Sequence, residues 1–269
     1  MIFVSMAPLG FAIVFIFGAI VGSFLNVCIL RIPEGESVVH PPSHCPICKA
    51  PIAFYDNIPL FSYLILRGRC RACHERISPR YFVVELLTAS LTAALFYKFG
   101  LGPAFFASFI FVAALIVISF IDLDAMIIPD VISLPGIVLG LLFSIAGRYA
   151  LEDPFEIIPS PLNSLIGLLV GGGFLLAVGW IYEVFTKVEG MGGGDIKLFA
   201  MIGAFLGWQS LLGTLLFASL GGSVIGLTVM LVKGVGRRHP IPFGPFLCLG
   251  ALLYLFFGKE LAAFYLYPQ

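Results

Sequence analysis

The sequence predicts an all-α polytopic membrane protein of about eight transmembrane helices with one small cytoplasmic domain built on four cysteines. Three observations predict it. The 269 residues are 60% hydrophobic and 11% charged, with a mean hydropathy of +1.07, whereas soluble domains are about 45–50% apolar and about 25% charged. Apolar runs near the roughly 20 residues that a bilayer core demands recur along the whole chain. One long polar connection, Arg31 to Arg80, interrupts them and carries two CxxC pairs. The formal net charge of zero excludes a global basic field of the kind that draws nucleic acid. The partners to expect are a lipid bilayer and other proteins.

In chain order the spans fall at about 8–30, 81–99, 103–121, 131–148, 162–184, 196–207, 210–232 and 245–262. The run Phe11–Leu30 is too long for a signal-peptide core and has no basic stretch before it, so it reads as a retained span. The sixth run is short and ends at the Gly207–Trp208 corner; without it the count is seven. An outside amino terminus puts Arg31, Lys49, Arg67, Arg69, Arg71, Arg76, Arg80, Lys187, Lys197, Lys233, Arg237 and Arg238 inside. Only Lys98, Arg148 and Lys259 are then outside, a clear positive-inside bias. Three parts follow: a first helix over 1–30, a cytoplasmic loop domain over 31–80 and a membrane core over 81–269.

The loop carries Cys45, Cys48, Cys70 and Cys73, with 21 residues between the two pairs. Four-cysteine zinc sites commonly leave about 15–20 there. Two such knuckles bring four thiolates into the tetrahedron of a closed, structural Zn²⁺ site, and a reducing cytosol disfavours the disulfide alternative. A loop of this size has little core, so the metal would supply its folding energy. His44 and His74 each neighbour a cysteine and are substitute ligands. Cys28 and Cys248 fall in spans and read as small buried apolar residues.

Acidic residues near the spans are few. Asp122 is the first polar residue after a long apolar run, at the cytoplasmic boundary of the third span. Asp124 points to another face, and Asp130 reads as a helix N-cap. Asp195 enters the sixth span on the same side as Asp122 and at similar depth, 73 positions later. Carboxylates at a membrane edge are costly enough to suggest function, and two brought close share a proton. Such a pair can activate water and polarise a peptide carbonyl. Gly192, Gly193 and Gly194 precede Asp195 and would let the chain turn and a substrate backbone approach. Lys197 pairs with a nearby carboxylate or marks the inside face. The turn Pro242–Pro245 breaks a helix and borders the proposed cleft. Glu85 and Glu183 sit near the same interface in supporting or snorkelling roles.

The motifs GSFLNVCILRIP (22–33), the paired CxxC, IDLDAMIIPD (121–130), GMGGGDIKL (190–198) and PIPFGPFL (240–247) stand in the order seen in type IV prepilin leader peptidases. The resemblance covers about residues 18–258. It implies a bacterial inner-membrane aspartic protease of the GxGD type, with Asp122 and Asp195 as the catalytic pair. Such enzymes cut the basic leader from type IV prepilins and type II secretion pseudopilins at the cytoplasmic face, after a glycine. Many then methylate the new amino terminus with S-adenosylmethionine, and the cysteine loop matches these bifunctional members. No cofactor fingerprint marks a methyl-donor site. Two departures touch no motif. The Pro33–Cys45 stretch is shorter than in some members, and the longer spacing between the aspartates is taken up by the polar insert Arg148–Pro161. The rival readings are a presenilin-type GxGD protease for other single-span substrates, an ion-coupled transporter and a scaffold docking a partner through its zinc loop.

Overall fold

The computed structural model describes residues 2–149, 158–187, 191–233 and 241–266. Each expected span is a helix: α1 (Ile2–Arg31), α3 (Pro79–Phe99), α4 (Pro103–Ala125), α5 (Asp130–Tyr149), α6 (Pro161–Thr186), α7 (Gly193–Leu206), α8 (Gln209–Lys233) and α9 (Gly244–Leu266). The polar connection adds a 3-10 turn at Phe54–Asn57 and the short α2 (Phe61–Ile65). Among the described residues, two isolated bridges are the only β-type pairing. Residues 150–157 of the polar insert, Gly190, Arg237, Arg238 and Pro240 lie outside the described residues.

Six helices (α1, α3, α4, α5, α6 and α8) are long and apolar enough to cross a bilayer, and α9 contributes a shorter apolar stretch over Gly244–Gly258. Their outer surfaces carry Leu169, Leu220 and Leu227, each at least 60% exposed. Apolar exposure on that scale suits lipid and not water. The short α7 is different, because every residue from Leu198 to Phe205 is buried. A helix jacketed by protein has no need of full bilayer length. Gly207, at φ +79, turns the chain out of α7 and into α8, which fixes the corner that the sequence left least secure.

The chain forms two compact units, Met1–Leu101 and Gly102–Gln269. In the first, α1 lies along α3 on a small-residue stripe. A Cβ on Gly18 would meet Ala89 Cα at 2.8 Å, and one on Gly22 would meet Glu85 Cα at 2.8 Å. Close backbone approach at small-xxx-small spacing replaces hydrophobic driving force where lipid is the solvent. Thr88 and Thr92, both buried, return their hydroxyls to the carbonyls of Val84 and Thr88. Asn26 Nδ2 of α1 donates to the Tyr81 carbonyl of α3 at 3.0 Å, and the loop is tied to α3 by the Leu60 N–H, which donates to Glu85 Oε2 at 2.7 Å. Glu85 is thus a buried clamp on the loop, not a snorkelling side chain, whereas Glu183 is exposed.

In the second unit α7 is the centre, with α5 and α6 against it. Gly167 and Gly203 meet backbone to backbone, and Ser164 Oγ donates to the Ala204 carbonyl at 2.6 Å. Gly136 and Gly140 of α5 fit over Met201 and Ala204. These glycines let α5 and α6 close around α7, the helix whose first turn carries Asp195.

Candidate active site

Asp122 sits in the last turn of α4, where the Met126 N–H bonds to its carbonyl and Met126, at φ 54, ends the helix. Its carboxylate is buried, with the residue only 5% exposed. Oδ2 accepts the backbone N–H of Gly244, the first residue of α9, at 2.9 Å. Asp195 lies in the first turn of α7. Its Oδ1 is buried and has no hydrogen-bond partner. The two carboxylates are close enough for Asp195 to feel the charge of Asp122, and the buried Cys248 of α9 lies within electrostatic reach of both. Two acids from distant parts of the chain, on α4 and α7, therefore share one neighbourhood at the amino-terminal ends of α7 and α9. Helix amino termini carry partial positive charge, which favours anions there.

Ile128, in the link from α4 to α5, fills the space between the two glycine-bearing helix starts. A Cβ on Gly194 would come within 2.8 Å of Ile128 Cβ, and one on Gly244 within 3.2 Å of Ile128 Cδ1. The three glycines before Asp195 are not equivalent. None has a left-handed φ, so the expected sharp turn is not what requires them. Gly194 is needed for space, Gly193 faces open space, and a Cβ on Gly192 would make an ordinary 3.4 Å contact with Asp195 Oδ2.

The other acids separate cleanly. Asp124 is exposed. Asp130 is the first residue of α5 and not its cap; the Pro129 carbonyl in front of it accepts from Ile132 and Ser133. Its carboxylate is drawn instead to Lys197 Nζ, at 2.7 and 2.8 Å, an ion pair joining the first turn of α5 to the second turn of α7.

The loop cysteines converge. The sulfurs of Cys45, Cys48, Cys70 and Cys73 all lie within 4.8 Å of one another, with Cys45–Cys73 at 3.9 Å and Cys48–Cys70 at 4.0 Å. A tetrahedron with metal–sulfur bonds of about 2.3 Å has edges of about 3.8 Å, so the set fits a four-thiolate metal site. The two knuckles repeat one local fold. Lys49 N–H bonds to the Cys45 carbonyl and His74 N–H to that of Cys70, each at 2.9 Å, with Lys49 and His74 both at left-handed φ. The N–H groups of Cys48 and Ile47 draw the Cys45 thiol down to about 6, while burial and the neighbouring sulfurs push Cys73 up to about 12, so the cluster without a metal shares its protons unevenly. Neither His44 nor His74 belongs to the group, and His44 Nδ1 is engaged with the Pro42 carbonyl.

Residues 16–99 match the bacterial peptidase A24 N-terminal domain, and residues 109–227 match the type IV leader peptidase family. The prepilin leader peptidase/N-methyltransferase of Aeromonas hydrophila is 38% identical over 95% of this chain and 93% of its own. The protein of that name from Xanthomonas campestris pv. campestris is 36% identical over 99% of this chain and 98% of its own. The Pseudomonas aeruginosa protein of the same name is 36% identical over 96% and 94%. The chain belongs to the type IV leader peptidase family. No solved structure matches it.

Membership makes the chain an enzyme, a peptidase, and displaces the transporter and scaffold readings. In this family member the N-terminal match contains all four cysteines, and the peptidase match contains both Asp122 and Asp195. Sequence reasoning missed the Gly244 amide on Asp122 and the Ile128 wedge. Its one signal for the former was the Pro-Phe-Gly-Pro break, which marks a helix start but not where that start points.

Proposed function

We propose that this chain removes the basic leader of type IV prepilins, and of type II secretion pseudopilins, using Asp122 and Asp195 as an aspartic dyad at the cytoplasmic edge of the bacterial inner membrane. The observation that carries the reading is the shared neighbourhood of these two acids, one with a buried, unpartnered oxygen. The names of the relatives support the substrate class. The charge distribution supports an outside amino terminus, which places the loop and both acids inside.

The chemistry follows from the pair. One carboxylate takes a proton from water as its oxygen attacks the scissile carbonyl carbon, and the other gives a proton to the carbonyl oxygen. Collapse of the tetrahedral adduct breaks the C–N bond, and the proton taken from water passes to the departing amine. A prepilin segment enters as a helix whose peptide groups are internally bonded, so the scissile stretch must unwind. The open space at Gly193 gives an extended backbone room beside Asp195.

In the first unit the four cysteines would hold Zn²⁺ as a structural ion, knitting the loop together. The relatives' second activity, N-methylation, extends to this chain as part of the reading, with S-adenosylmethionine as the methyl source. The large cavity of that unit, about 1060 Å³, is walled mainly by apolar side chains. Its Arg31 guanidinium is already committed to the carbonyls of Ser37 and Pro41. That wall does not fit a donor with a carboxylate and a purine, so no step is derived through it. Incubating the purified protein with a prepilin and following intact mass tests the proposal. Loss of the leader supports it, a further methyl mass supports the second activity, and an unchanged prepilin overturns the peptidase assignment.

A further inference from the structure

The first turn of α9 has its donors allocated in an unusual way. The Phe246 and Leu247 N–H groups both bond to the Phe243 carbonyl, at 3.1 and 3.2 Å. Pro245 has no N–H. The Gly244 N–H is therefore the remaining donor of the turn, and it is spent on Asp122 Oδ2. Glycine is required at that position for space: a Cβ would sit 2.6 Å from the same oxygen and 3.2 Å from Asp122 Cγ. Asp195 lacks such a donor on its buried Oδ1. The dyad is thus asymmetric in its hydrogen bonding, since a donor on one oxygen favours the ionised form of the acid that carries it.

We infer that Gly244 is a positioning residue of the peptidase: its amide orients Asp122 as the carboxylate that takes the proton from water, and leaves Asp195 to carry the shared proton to the carbonyl oxygen. This rests on the dyad reading above and adds a division of labour to it. The Pro242–Pro245 turn then has a stated task. Pro245 withholds a competing donor, and Gly244 brings the remaining one into contact.

The test compares Gly244→Ala with Gly173→Ala, a helical glycine whose added Cβ meets nothing within 4 Å, and with the double variant Ile128→Ala/Gly244→Ala. Gly244→Ala should lower kcat for prepilin cleavage at least about tenfold, the scale set by one lost bond to a charged group, with KM within about twofold of wild type. Relief of Ile128 should not restore it, because the obstructed atom is Asp122 Oδ2. A kcat near that of Gly173→Ala, or recovery in the double variant, would overturn the inference. A second arm is independent of cleavage and of whether Gly244→Ala folds. In the full chain labelled with ¹³C-carbonyl phenylalanine and ¹⁵N-glycine, the Gly244 amide, identified by its loss in Phe243→Leu, should move upfield in Asp122→Ala. An unmoved amide overturns the contact. A wild-type chain that cleaves no prepilin sinks the proposed function, while the amide shift still reports on Gly244.

Discussion

Asp122 and Asp195 differ from the other described acids of the second unit in what surrounds them. Asp124 is exposed and Asp130 is neutralised by Lys197, so neither offers a group free to share a proton with a partner. Asp122→Asn and Asp195→Asn should each abolish leader cleavage, with the protein still present in the membrane fraction by immunoblot. Full processing by either variant would remove that acid from the mechanism. The sequence singled out both positions, Asp122 directly after an apolar run and Asp195 after three glycines and before one. A nearby carboxylate for Lys197 was one of two sequence readings, but neither its identity as Asp130 nor the Gly244 amide could be read, since these contacts join residues 67 and 122 positions apart and depend on how helices pack. In the loop, the Arg71 guanidinium grips Asp56 through two bonds of 2.6 and 2.7 Å and holds its carboxyl below the usual carboxylate range. The support this pair gives the folded loop is therefore complete above the ordinary carboxylate range. It is lost as pH falls through the lowered value. Arg71→Met should shift acid-induced loosening of the loop, read by hydrogen exchange, to higher pH.

Helices in this protein meet through what is missing from their side chains. Gly167 of α6 and Gly203 of α7 touch backbone to backbone, so Gly167→Val should destabilise the protein by about 1–3 kcal/mol, the usual cost of overpacking. A detergent-solubilised thermal melt would show a lowered Tm, and an unchanged Tm would contradict the contact. The eight apolar helices among the described residues could be read from apolar runs, including the short α7 that length alone makes doubtful. Length fails there because a helix buried on all sides is measured against its protein neighbours and not against lipid. Cysteine spacing likewise foretold the cluster, while the paired knuckles with left-handed Lys49 and His74 emerged only from backbone geometry. The cluster should hold about one Zn²⁺ per chain, measured by metal analysis of the purified protein, and Cys70→Ser/Cys73→Ser should lose it. A metal-free wild type would set the zinc proposal aside.

For the molecule as a whole, the proposed arrangement in the membrane rests on charge. Twelve of the fifteen basic residues fall on one side of the proposed topology, and on that proposal the cysteine loop and the aspartates face the cytoplasm. Reporter fusions in the loop near Glu36 should read as cytoplasmic and those at Leu101 as periplasmic; the opposite pattern would invert the topology and leave the acids on the wrong side for a cytoplasmic leader. The two units carry separate equipment, thiols in one and acids in the other. The central claim is that these two acids act as a single peptide-cleaving centre. Its most direct test is the intact mass of a prepilin after incubation with wild-type protein, with Asp122→Asn and with Asp195→Asn. The account predicts a product shortened by the leader with the wild type alone, and a shortened product from either asparagine variant would contradict it.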